Sequence, residues 1–216
     1  MHSLVPFNSA ASDLLKTGLG GLERVLILGA SGWFGRTALA LLEGHPQEVL
    51  LVGSRERTIF VRGNSHRVDV WTDSILKNFR PQVVLDFAFL TKNHQRRLGD
   101  EQFAKANRGI SERLVTIASH PSVEKLLTVS SGAAIGVMGS KGDVPSDLYG
   151  WQKALNEQSL RAVSEQLGKE IVIARAWSVS GGFVREPQNY ALSDFVLQGL
   201  RQAEILVEAP HLVYRR

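Results

Sequence analysis

The 216-residue sequence predicts an α/β protein built on a doubly wound parallel sheet. Three observations lead there. Short apolar runs alternate with segments of helical period, which is the pattern of strands buried on both faces by crossover helices. The first run leads into a glycine-spaced turn that opens a helix, "VLILGASGWFGRTALALLEG". The chain, at 44% hydrophobic and 21% charged, is long and apolar enough to bury one core.

Taken in order, residues 1–23, rich in small and polar side chains and closing on Gly18, Gly20 and Gly21, are expected to form an N-terminal arm. Strands are expected at Arg24 to Gly29, Glu48 to Gly53, His66 to Val70, Gln82 to Phe87, Lys125 to Val129 and Ile171 to Arg175. Helical periodicity falls between them at Gly35 to Leu42, Thr72 to Phe79, Gln102 to Ala118 and Tyr149 to Leu167. Residues 24–180 are thus expected to form the main domain. Residues 181–216 are expected to supply the incomplete start of a smaller lobe, with a helix over Ser193 to Gln202 and a strand over Ile205 to Val207.

The glycine turn follows a strand and opens a helix, where backbone N–H groups and the helix dipole can receive a pyrophosphate. Gly29 would allow the tight turn, Gly32 would let phosphate approach the backbone, and Gly35 would let helix and strand pack closely. A structural turn containing glycine is the alternative. A second constellation lies at "SSGAAIGVMGSKGDVPSDLYGWQKALNE", where Tyr149 and Lys153 stand four apart at the start of a helix and so share a face. Ser131 precedes them at the C-terminal end of a strand, where open parallel sheets bind ligands.

On these residues the sequence resembles the extended branch of the short-chain dehydrogenase/reductase superfamily, the NAD(P)-dependent nucleotide-sugar epimerases, dehydratases and reductases. The resemblance runs from about Arg24 to Gly181 and implies a Rossmann-type fold that lacks most of the C-terminal substrate domain. "GASGWFG" matches the cofactor loop, so Gly29, Ser31, Gly32, Trp33, Phe34 and Gly35 are expected cofactor-binding residues. "VVLDFAF" matches the fourth strand, with Ala88 at its small position, and Asn107 matches an asparagine on the following helix. "LLTVSSGAAIG" carries the serine at Ser131, "YGWQKALNE" carries Tyr149, Lys153 and Glu157, and "IVIARAWSVSGG" carries Arg175. Asp86, Ser178 and Gly182 depart from the family's frequent histidine, asparagine and proline, and none falls on the Tyr149 and Lys153 pair.

The roles implied are catalytic for Ser131, Tyr149 and Lys153. A free tyrosine, with a pKa of about 10, is a poor base at neutral pH, and a neighbouring lysine cation favours its phenolate. Lys153 would also hold the nicotinamide ribose, Tyr149 would exchange a proton with a substrate oxygen, and Ser131 would orient that oxygen. Asn107 would maintain helix geometry or a water link to Lys153. After the second strand, "LLVGSRERT" offers Ser54 and Arg55 to a 2′-phosphate and no acid at the strand end, which favours NADP over NAD; the alternative has Glu56 on the ribose. Asp69 or Asp73 would lie near the adenine or serve as ordinary turn and cap residues.

Composition excludes other chemistry. Zero cysteines removes disulfides, thiolate metal sites and cysteine nucleophiles, and the six histidines have no metal-ligand spacing. Neither "VSSGA" nor "WSVSGG" forms a Gly-x-Ser-x-Gly elbow, and the basic "KNHQRR", with no interleaved aromatic, reads as an exposed loop rather than a nucleic-acid platform. The net charge of +4 suits an anionic ligand or a solvated face. No apolar run approaches a membrane span and no secretory signal opens the chain, so a cytoplasmic protein is expected. Its expected partner is a small molecule, a nucleotide sugar by the resemblance, with a homodimer allowed and neither nucleic acid nor membrane. A cofactor-binding regulatory or inactive protein is the alternative function.

Overall fold

The computed structural model describes residues 17–135, 137, 147–177, 179–184, 186–201 and 204–207. The chain divides into two compact units at Ala176/Trp177. The first unit is a sheet of β1 (Arg24–Leu28), β2 (Glu48–Gly53), β3 (Arg57–Val61), β4 (Asn64–Val70), β5 (Val83–Asp86), β6 (Lys125–Ser131) and β7 (Glu170–Ala176), with α1 (Trp33–Leu42), α2 (Ser74–Asn78), α3 (Lys92–Leu98), α4 (Asp100–Ser119) and α5 (Leu148–Leu167). Strand order is β3-β4-β2-β1-β5-β6-β7, parallel throughout except for the β3–β4 pair. The fold is the α/β, Rossmann-type doubly wound sheet that the alternating pattern predicts, and its strand order reverses between β1 and β5.

The apolar run of β1 occupies the centre, with Val25, Leu26 and Ile27 at 0% exposure. One core cluster joins Leu26, Val84 and Leu126 of the sheet to Leu114 and Ile117 of α4 and Leu160 and Val163 of α5. Register places Leu28, Val52, Asp86 and Thr128 abreast, so β6 runs three residues beyond that row to Ser131. Such an overhang, at about 3.3 Å per residue, carries Ser131 roughly 10 Å past the row.

Two elements differ from expectation. Arg57–Val61 is a strand where none was expected, and hairpins onto β4 through Arg62 and Gly63, both at positive φ of 48° and 91°. That pair of left-handed residues is the two-residue turn whose twist suits a hairpin, but Arg at its first position carries none of the usual Asn or Asp signal. "KNHQRR" is the helix α3, not a loop; Thr91 N–H donates to His94 Nδ1 at 3.2 Å, which starts the helix without an apolar stripe. Burial, then the Arg97 charge, lowers the His94 pKa and so favours its neutral ring.

The second unit contains a 3₁₀ turn at Pro187–Asn189 and α6 (Ala191–Arg201). Residues 204–207 form no strand; instead Leu206 N–H donates to Gln198 Oε1 at 2.7 Å. The predicted arm lies mostly outside the described residues, as does Ser178.

An ion pair fixes α5 to the sheet edge. Glu157, 4% exposed, receives Arg175 Nε at 2.9 Å and Nη2 at 2.6 Å, and the Ser130 hydroxyl at 2.5 Å. Burial alone would raise the Glu157 pKa, but hydrogen bonds from Arg175 and Ser130 and the Arg175 charge hold it below the usual value. A depressed acid stabilises the fold above its unfolded pKa of about 4.3 and loses that contribution as pH falls through the folded value. Glu157→Gln is therefore expected to cost about 1.5–3 kcal/mol at neutral pH, in urea denaturation, with the gap to the parent closing at acid pH.

Candidate active site

The glycine turn sits at the point where strand order reverses. Gly29 has φ +70°, and a Cβ there would lie 2.7 Å from the Phe87 carbonyl and 2.8 Å from the Ala88 nitrogen. The chain leaving β1 thus rests directly on the chain leaving β5. At Gly35 a Cβ would come 2.5 Å from the Gly29 oxygen, so the first turn of α1 is pressed against the loop beneath it. Gly32, the N-cap of α1, differs: a Cβ would approach only the Gly29 oxygen, at 3.1 Å. Trp33 and Phe34 open the helix with their rings stacked at 5.2 Å, and Phe34 continues onto Phe87 at 6.1 Å. Arg36 donates to the carbonyls of Ser31 at 3.3 Å and Phe60 at 3.4 Å, which braces the loop against β3.

The other wall comes from α5. Asp147 caps the helix by accepting Gly150 N–H at 3.1 Å, and a Cβ at Gly150 would collide with the Ala133 carbonyl, so the helix start is seated on the turn after β6. Tyr149 and Lys153 follow one turn apart. Lys153, 4% exposed, donates from Nζ to the Val129 carbonyl at 2.7 Å. Burial lowers its pKa to about 8, against the opposing fields of Asp86 and Glu157. Ser131 Oγ accepts Ala133 N–H at 3.2 Å.

Phe89, which no sequence signal singled out, joins the two side chains. Its ring packs edge-on to Tyr149 with centroids 5.9 Å apart and lies 3.8 Å from Lys153 Nζ. Lys92 pairs with Asp147 at 2.9 Å and stands 5.9 Å from the Tyr149 ring centre. Asp86 accepts the Thr128 hydroxyl at 2.7 Å and Ala88 N–H at 3.1 Å, and its pKa is raised by burial. The Asp86 charge in turn raises the Lys153 pKa against burial.

Asn107, 1% exposed, is committed to the chain after β5: its Oδ1 accepts Leu90 N–H at 2.8 Å, and its Nδ2 donates to the Leu90 carbonyl at 3.3 Å and to Gln152 at 3.1 Å. At the opposite end, Ser54 and Arg55 are exposed between β2 and β3, while Glu56 is turned to Arg67 at 3.4 Å. Asp69 holds the same arginine at 2.6 Å, and Asp73 accepts the Trp71 indole at 3.3 Å. Among the described residues no group of three metal-ligating side chains forms, and no helix is long and apolar enough to cross a membrane.

Replacing Asn107 by Ala strands both polar groups of Leu90. We expect a loss of about 1–3 kcal/mol in stability, and amide hydrogen exchange measured by NMR should accelerate at Leu90 before it does in the sheet.

Several solved structures share this architecture. UDP-N-acetylglucosamine 4-epimerase from Methanobrevibacter ruminantium M1, in complex with UDP-N-acetylmuramic acid, is 21% identical with a TM-score of 0.65, covering 83% of this chain and 63% of that one. UDP-glucose 4-epimerase from Brucella ovis, in complex with NAD, is 20% identical with a TM-score of 0.58, covering 74% of this chain and 53% of that one. A GalE-like L-threonine dehydrogenase from Cupriavidus necator is 18% identical with a TM-score of 0.65, covering 83% and 63%. The chain therefore spans 53% to 63% of the length of these proteins, and the likeness is one of fold. No curated protein matches the chain. The model of the NAD dependent epimerase/dehydratase family matches residues 25–208, from the first strand to the second unit, and the chain belongs to that family.

Proposed function

We propose that the protein is an NAD(P)-dependent epimerase, dehydratase or reductase that acts on a nucleotide-linked sugar, with NADP preferred and Tyr149 as acid and base. The observation that carries this reading is the turn of α5 that presents Tyr149 and the buried ammonium of Lys153 together, at the carboxyl ends of the strands. The neighbours solved with UDP-sugars or NAD support the substrate and cofactor class, while the L-threonine dehydrogenase of the same fold makes the sugar a matter for assay.

The loop residues fit a dinucleotide. Gly29 and Gly35 are closed in by backbone, whereas Gly32 is bounded by a single carbonyl and leaves the helix N-terminus open to phosphate. Ser31, Trp33 and Phe34 flank it in the chain, and Ala88 lies against Gly29 across the switch point. Bound nicotinamide supplies the hydride acceptor and donor. Lys153 holds the ribose and favours the Tyr149 phenolate; Tyr149 removes a proton from a substrate hydroxyl or returns one to a carbonyl. Ser131 uses a lone pair on Ala133 N–H, so its hydroxyl proton remains to orient the same substrate oxygen. Asn107 acts as a positioning residue through Leu90.

For cofactor choice, Glu56 is engaged by Arg67, and Arg55 stands exposed beside Ser54. A guanidinium matches a 2′-phosphate in charge and shape. Arg55→Ala should weaken NADPH about tenfold or more and NADH little, as read by fluorescence titration. Equal losses would transfer the preference to NAD.

Turnover is tested at Tyr149. Tyr149→Phe should retain cofactor affinity while activity on candidate nucleotide sugars falls roughly 10²- to 10⁴-fold. In the parent, kcat/KM for the dinucleotide, which reports the free protein, should decline as pH rises past about 8, where Lys153 loses the charge that the ribose and phenolate require. Tyr149→Phe as active as the parent would sink the mechanism, and cofactor binding without turnover of any such sugar would favour a binding protein.

A further inference from the structure

The Lys153 ammonium has three N–H donors. One is used on the Val129 carbonyl at 2.7 Å, and the Phe89 ring centre lies 3.8 Å from the same nitrogen. The remaining donors are the ones a ribose diol would need, and an aromatic face cannot stand in the same place as a diol. Phe89 also touches the Tyr149 ring, so one side chain borders both members of the pair.

The backbone beside Phe89 is fixed. Leu90 is held at its N–H and its carbonyl by the buried Asn107, and Ala88 N–H is held by Asp86. The segment cannot swing away as a lid, which leaves rotation of the Phe89 side chain, half-buried, as the movement available. Resting on the proposed cofactor site, we propose that Phe89 controls access to Lys153: its ring covers the face of the ammonium that a ribose diol requires, and rotates off it for a dinucleotide to be held.

The cover has two physical consequences. A cation over an aromatic face in a desolvated setting is an attraction that incoming ligand must replace. The ring also keeps water from the ammonium, in line with the Lys153 pKa near 8, which burial sets against the Asp86 and Glu157 charges. Affinity and amine chemistry therefore report on the same contact, the second without any dinucleotide.

The test compares the parent with Phe89→Ala and Phe89→Leu, the latter keeping apolar cover without a π face, each checked for native circular dichroism. NADPH and NADH affinities are titrated by fluorescence, and acylation of Lys153 by acetic anhydride is followed against pH by peptide mass spectrometry. We expect Phe89→Ala to bind dinucleotide about tenfold more tightly, with Phe89→Leu between it and the parent. Lys153 in Phe89→Ala should acylate faster at high pH, with its midpoint moved up from about 8. Unchanged or weaker affinity in a folded Phe89→Ala overturns the proposal, since the ring is then neutral to the ligand or supports it. If neither dinucleotide binds the parent or a folded Phe89→Ala, the cofactor reading itself fails and acylation decides: an unchanged profile in Phe89→Ala overturns control by Phe89, and a faster one sustains it; binding by Phe89→Ala alone sustains both readings.

Discussion

Backbone meeting backbone at Gly29 is the constraint on which the rest of the site depends. Two connections leave neighbouring strands at the point where the sheet changes winding direction, and they touch with no room for a side chain between them. The contact fixes the height of the Phe87–Ala88 segment relative to the loop. Through Ala88 it fixes Phe89 and Leu90, and through Gly35 it fixes where α1 begins. A larger residue at Gly29 would part the two connections and shift the glycine turn and the Phe87–Ala88 segment together.

The α5 wall adds a second kind of force. Besides the core packing of Leu160 and Val163 and the backbone seat of Gly150 on Ala133, it is held electrostatically, with the carboxylate of Glu157 clasped by Arg175 and Ser130, and the ammonium of Lys153 buried one turn earlier under the influence of Asp86. The two buried charges differ in consequence. Glu157 has nearly every oxygen lone pair directed to a donor and serves the fold. Lys153 has one short hydrogen bond, to the Val129 carbonyl, and burial lowers its pKa to about 8.

The strands and long helices were legible because each combines a continuous apolar run or a sustained stripe with length, and the glycine turn because its spacing has mechanical meaning at Gly29 and Gly35. Arg57–Val61 escaped because its exposed face carries Phe60, which breaks the polar alternation of a half-buried strand, and because its turn uses Arg62. Helix α3 escaped because it buries none of its residues and so has no period to read. Within the candidate site, Tyr149 and Lys153 could be named from their spacing and Ser131 from its place at a strand end. Phe89 could not, because its position over Lys153 arises from the meeting of a loop after β5 with a helix some sixty residues later. Nothing local to "DFAFL" encodes it.

The β3–β4 hairpin stands where a crossover helix would ordinarily link β2 to the next parallel strand. Its effect is felt at the link itself. Residues 54–56 are a three-residue bridge between two strands, each tied into the sheet, and Glu56 is further tethered to Arg67. Much of the conformational entropy of that bridge is surrendered when the protein folds and not when a ligand arrives. The exposed Arg55 guanidinium is therefore mounted on a short, taut support whose backbone is already ordered by the two strands it joins.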